Sequence, residues 1–246
     1  MVGPAGPLEV EVASPPRALD VERLLLLCHG LPLSRGGGKL ASRLLPELAE
    51  RIASESGWTV AVASLRGVGG SPGTFSASGW CDDLTAVINE LIGDRKGISL
   101  VGFGFGGALA LRTAAGDERI RGVAALATPA DLSSWCGPPE VFADACHRAG
   151  VVGVTPLADP DALVADVLAI DPMDAIASIP PRRIMIVHGA DDAVVPERAA
   201  RELVRGADGR AELRIVAGAG HWLRSDPRMV ATVLGWLDRQ RTLAGM

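Results

Sequence analysis

Residues Ile98–Gly107 read ISLVGFGFGG, and the fold of the chain can be built outward from them. Ile98–Val101 has the length and apolar content of a buried strand, and helical spacing resumes over Ala108–Ala115. Between them lies a turn with glycine at 102, 104, 106 and 107. A strand that breaks through a tight turn into a helix is one unit of an α/β fold. The same rhythm extends in both directions. Arg23–Cys28 (RLLLLC) is a continuous apolar run, as a strand covered on both faces would be. Trp58–Ala63, Val123–Ala127, Ile184–Val187 and Leu213–Val216 complete the predicted strands. Helical periodicity marks Leu40–Ile52 (through Leu44, Leu45, Leu48 and Ile52), Asp82–Ile92, Glu197–Arg205 and Arg228–Arg239. The expected fold class is therefore α/β: a mostly parallel central sheet with helices on both faces.

One stretch interrupts the alternation. From Asp131 to Pro181 no strand is visible, and proline and glycine breaks separate two helical patches near Pro139–Ala149 and Asp161–Ile170. About 50 residues would bury only a marginal core of their own. The reading is a single domain over residues 1–246, with 131–181 as a short helical cap inserted after the sixth sheet strand. Trp135, Phe142 and the Val151-Val152 pair are assigned to packing within that cap.

Composition narrows the function. Of 246 residues 48% are hydrophobic, which allows a sizeable core, and the net charge is −5. The only lysines, Lys39 and Lys96, are isolated and the arginines scattered, so no basic stripe marks a nucleic-acid partner. Residues 1–18 lack the basic and apolar regions of a secretory leader, and no apolar run reaches membrane-spanning length. The cysteines at 28, 81, 136 and 146 have neither metal-ligand nor disulfide-scaffold spacing. A cytoplasmic protein with a small-molecule ligand or substrate is expected, with no nucleic acid, no membrane, no metal and no cofactor.

In a parallel sheet, ligands sit at the carboxyl ends of strands, so the loops that follow each strand carry the functional information. They read His29-Gly30-Leu31, Arg66-Gly67-Val68-Gly69-Gly70-Ser71, Gly102-Phe103-Gly104-Phe105-Gly106, Gly189-Ala190-Asp191-Asp192-Ala193-Val194-Val195-Pro196 and Gly218-Ala219-Gly220-His221. All five fall on one sheet edge. Their order resembles the α/β-hydrolase family over residues 22 to 240: an HG oxyanion loop, an RGxGxS turn, a GxSxG elbow, a GxxDxxVP acid loop and a terminal GxGH loop. The most similar members are compact, dienelactone-hydrolase-like and serine-aminopeptidase-like esterases and peptidases. The resemblance implies that Asp192 is the acid, with Asp191 second and Asp131 a remoter third. It implies His221 as the base and the backbone amides of Leu31 and Phe105 as the oxyanion hole. A carboxylate would fix the imidazole tautomer while two N–H groups meet developing negative charge.

The departure is the nucleophile position, where the elbow carries Gly104. Without a side chain no acyl-enzyme forms there, and in a comparable triad enzyme losing the serine costs about 10⁶ in turnover. Cys28, at the end of an apolar strand, reads as core, and Ser71 as a structural turn residue, so neither replaces it. His188 also reads as structural, and His147 lies in the cap without a named partner. Two short patterns compete. Gly102-x-Gly104-x-x-Gly107 fits a dinucleotide fingerprint, but its acidic partner would have to be Asp131, which comes late. Gly36-Gly37-Gly38-Lys39 hints at a phosphate loop but lacks its first glycine and its Ser or Thr. Two function classes follow. One is an enzyme without a covalent step, using Asp192 and His221 for weak hydrolysis of a small ester or for proton abstraction. The other is a non-catalytic protein, either a binder of a small carboxylate or ester or an inactivated Ser-to-Gly form of a serine esterase.

Overall fold

The computed structural model describes residues 1–16, 23–39, 45–95, 97–151 and 159–243. A short antiparallel hairpin, β1 (Val2–Gly3) and β2 (Gly6–Pro7), precedes β3 (Val10–Ala13). Then come β4 (Leu24–Cys28), α1 (Leu45–Ser56), β5 (Thr59–Ala63), α2 (Ala77–Ile92), β6 (Ile98–Phe103), α3 (Phe105–Gly116) and β7 (Ile120–Leu126). Four helices follow: α4 (Leu132–Cys136), α5 (Pro139–Ala149), α6 (Pro160–Leu168) and α7 (Pro172–Ala177). The chain closes with β8 (Arg183–Gly189), α8 (Arg198–Gly206), β9 (Ala211–Val216) and α9 (Pro227–Leu243).

Seven strands form one sheet in the order β3-β5-β4-β6-β7-β8-β9, parallel throughout except for β3, which runs antiparallel to β5. This is the α/β architecture expected from the alternation. Every residue of β4 is buried, because β5 and β6 flank it and helices cover both faces. The strand's period of two splits its side chains between two cores. Leu24, Leu26 and Cys28 join α2, α3 and the α4–α8 side, whereas Leu25 and Leu27 join the layer of α1 and α9. From β4 the chain crosses to β5 on one side, and from β6 it crosses to β7 on the other. The loops after β4 and β6 thus diverge, opening the crevice where ligands bind in sheets of this kind.

The segment between β7 and β8 departs from expectation in two ways. It follows the fifth strand of the main sheet in chain order, not the sixth, because only β3 precedes β4 in that sheet. Among its described residues it also holds four helices, not two. The short α4 and α7 are specified by caps more than by periodicity: Asp131 accepts from the Ser133 and Ser134 amides, and Asp171 from those of Met173 and Asp174. The first five positions of the predicted Leu40–Ile52 helix, and Val152, lie outside the described residues. Among the described residues no helix is long and apolar enough to cross a membrane.

Candidate active site

Four glycines shape the turn between β6 and α3, for different reasons. A Cβ on Gly102 would run into the Gly106 carbonyl, one on Gly106 into the His29 carbonyl, and one on Gly107 into the Thr128 hydroxyl. Close backbone approach therefore demands glycine at 102 and 106, and the Thr128 side chain leaves no room for a Cβ at 107. Gly104 is different. Its φ of 56° and ψ of −124° lie where side chains are strained. Yet a Cβ there would meet nothing nearer than His221 Nε2, at 3.7 Å, an ordinary contact. The Gly104 amide donates to Leu126 O at 2.8 Å, locking the turn to the neighbouring strand.

His221 follows β9 and Asp192 follows β8, and the two meet over this turn. His221 Nδ1 and Asp192 Oδ2 are 2.9 Å apart, with the Asp192 side chain fully buried and that of His221 16% exposed. The other carboxylate oxygen, Oδ1, accepts from the Val194 and Val195 amides, each at 2.8 Å. With the carboxylate accepting at Nδ1, the remaining ring nitrogen, Nε2, is turned toward Gly104. Asp191, the second choice for the acid, is exposed and forms no hydrogen bond or ion pair with His221. Asp131 caps α4 instead, and hydrogen bonds from Ser134 and Ser133 hold its carboxyl down at about 2.

The loop after β4 is fixed by His29. Its Nδ1–H donates to Gly30 O at 2.9 Å, and its Nε2 accepts from the Leu65 amide at 3.1 Å. Burial pulls its pKa down to about 4, so the ring is neutral with a set tautomer. Leu31 and Phe105 both line the cleft, and among the described residues neither amide donates to a protein acceptor. Ser71 Oγ donates to Ser64 O at 2.6 Å and accepts from the Glu9 amide, a turn-holding role. Burial pushes the Cys28 thiol far above its usual range. Gly37–Lys39 forms a single 3₁₀ turn.

Several residues sit closer to the site than the sequence suggested. His188, fully buried on β8, places Nε2 2.9 Å from Val195 O and 3.3 Å from Asp192 Oδ2, so it backs the carboxylate that holds His221. Its only advance signal was a histidine four positions before the acid. Trp135, assigned to packing within the inserted segment, lines the cleft and stacks on Phe105 with ring centroids 5.2 Å apart and planes 4° apart. Phe142 is buried and packs its ring at an angle against Trp135. Trp222 and Arg224, just past His221, also line the cleft, which has a volume of about 480 Å³.

Residues 23–146 match the family model described as alpha/beta hydrolase fold. The chain is similar to a serine hydrolase without lid from Xanthomonas campestris, at 25% identity over 96% of this chain and 89% of that one, with a TM-score of 0.65. In fold it is also similar to an alpha/beta hydrolase from Penicillium sp. (19% identity, 95% and 98% of the two chains, TM-score 0.71). A proline iminopeptidase from Mycobacterium smegmatis is comparable (18% identity, 100% and 98%, TM-score 0.70). A search of the curated proteins finds no match.

Proposed function

The chain belongs to the alpha/beta hydrolase fold family, and we propose that it hydrolyses small esters slowly, without a covalent intermediate. The observation that carries this reading is the orientation of His221: Nδ1 is held by Asp192 at 2.9 Å while Nε2 faces the space above Gly104. In the serine members this turn resembles, that space belongs to the nucleophile. Here Gly104 leaves room for a water between the base and an ester carbonyl. His221 Nε2 takes a proton as the water oxygen attacks the carbonyl carbon, and the Leu31 and Phe105 amides receive the oxyanion. Collapse of the tetrahedral species expels the alcohol oxygen, which recovers the proton from His221. Asp192 steadies the imidazolium throughout.

The magnitude is modest. General-base catalysis supplies roughly 10²–10⁴, far below what a full triad achieves. Helices α4–α7 act as a partial cap, with Trp135 forming one wall of the cleft. Four free cysteines and an acidic balance are compatible with a cytoplasmic location.

The second reading, a non-catalytic binder, is favoured by one specific observation: the turn carries Gly104 where the chemistry of the family needs a hydroxyl. One assay separates the two. Turnover of 4-nitrophenyl acetate above background, abolished in His221→Ala, supports the enzyme. A protein whose slow turnover is unchanged in His221→Ala has no general base at this position, and the binder reading then takes its place.

A further inference from the structure

Among the described residues that line the cleft, Arg224 is the only Asp, Glu, Lys or Arg. Its guanidinium lies over the Trp222 ring, 4.6 Å from the centroid, so one of its faces is covered. Its Nε is sealed from solvent and has no hydrogen-bond partner among the described residues. Other arginines of the chain differ: Arg66, Arg228 and Arg239 each face a carboxylate, on Asp83, Asp226 and Glu212. A guanidinium has five N–H donors and no acceptor. A buried donor left unmet costs on the order of 1–3 kcal/mol. Among the described residues the cleft wall supplies no carboxylate, and Asp192 behind it already accepts from His221 and two amides. Burial alone moves the Arg224 pKa, and it moves it down, as for a cation without a counter-charge.

We propose that Arg224 is an anion subsite within the cleft, and that it takes the carboxylate of an amphipathic ligand. The ligand's apolar body lies against Leu31, Leu33 and Trp135, which line the same cleft. With one face of the guanidinium covered by Trp222 and Nε sealed, the edge formed by the two Nη groups is the part left for an incoming group. A planar carboxylate meets that edge with two parallel hydrogen bonds. Arg224 is three residues from His221, so a carboxylate held there leaves the rest of the molecule beside Gly104. The substrate class is thus an ester that bears a free acid on an apolar frame. Arg224 is a specificity residue and takes no part in bond breaking. The proposal rests on the reading of this cleft as the ligand site.

The test uses the full chain and 3-phenylpropanoate as probe, with its neutral amide as control, titrated by calorimetry. The carboxylate is expected to bind at least tenfold more tightly than the amide. Arg224→Met, which keeps the aliphatic bulk, should remove that preference while leaving amide binding unchanged, and Arg224→Lys should restore part of it. Arg224→Gln serves as the neutral variant if Arg224→Met fails to fold. Equal binding of acid and amide, carboxylate affinity unaltered by the neutral variant, or no saturable binding at all would each overturn the subsite. Loss of carboxylate binding in His221→Ala but not in the Arg224 variants would also overturn it, by placing the anion at the Leu31 and Phe105 amides. Ester turnover that depends on His221 is read separately, so the subsite can fall while the proposed activity stands, and the reverse.

Discussion

The two halves of the candidate site are built under opposite constraints. On the acid–base side, after β8 and β9, side chains dictate the geometry: Asp192 is buried and accepts from His221, Val194 and Val195. On the turn side, after β6, backbone dictates it. Gly102, Gly106 and Gly107 are fixed because carbonyls or a hydroxyl occupy the space a Cβ would need. Gly104 belongs to neither regime. No atom lies within 3.7 Å of a Cβ placed there, and no other group relies on it beyond its own backbone bonds. The contrast teaches that neither half depends on a side chain at position 104. The acid–base pair is maintained by contacts that do not pass through it.

Breaking the turn should have the largest effect. Gly106→Ala drives a methyl into the His29 and Cys28 carbonyls, which cannot rotate away. It should cost more than about 3 kcal/mol, at the upper end of overpacking penalties. Equilibrium urea unfolding measures this. A change below about 1 kcal/mol would mean that the turn has more slack than its geometry allows.

Acid should loosen the loop on the other side of the crevice next. Burial lowers the His29 pKa from 6.5 to about 4. The unfolded chain therefore binds a proton that the folded chain refuses as pH falls below 6.5. Stability is full above that value and is lost between about 6.5 and 4, by roughly 3 kcal/mol at most. Urea midpoints at pH 7.5 and 5 should show the slope, and His29→Gln should flatten it. An unchanged slope in that variant would assign the acid sensitivity elsewhere.

A smaller effect is expected of Gly104→Ala. Its methyl fits, so the cost is backbone strain alone, about 1–3 kcal/mol at a φ of 56°. Thermal melts of Gly104→Ala and Gly106→Ala side by side sharpen the comparison, since the two should separate clearly. Equal losses would dissolve the distinction between them.

The sequence is uneven in what it reveals. Parallel strands buried on both faces, such as Leu24–Cys28, are legible because every residue must be apolar. The Gly-rich turn and the loops of Asp192 and His221 are legible because close backbone approach and strand-end placement leave few residue choices. The edge strand β3 was not legible: Val10–Ala13 is four residues long and buried in no consistent pattern. The helices α4 and α7 were hidden for a related reason, being too short for a helical period to repeat. His188 reads only as structural, because its significance lies in the burial of a carboxylate four residues on. Arg224 goes unremarked, because its significance lies in a donor without a partner among the described residues. A buried histidine that backs a carboxylate looks, in sequence, like any strand-end histidine.

Placing a hydroxyl at position 104 tests the central claim most directly: that everything except the nucleophile is in place. A Cβ there sits 3.7 Å from His221 Nε2, so the serine hydroxyl of Gly104→Ser lies within reach of the base. Gly104→Ser should raise hydrolysis of 4-nitrophenyl acetate at least tenfold, equivalent to about 1.4 kcal/mol of barrier, with a burst of 4-nitrophenolate as the acyl-enzyme forms. Gly104→Ser/His221→Ala should lose the gain. A folded Gly104→Ser protein with neither burst nor increased turnover, or a double variant as active as the single, would contradict the claim.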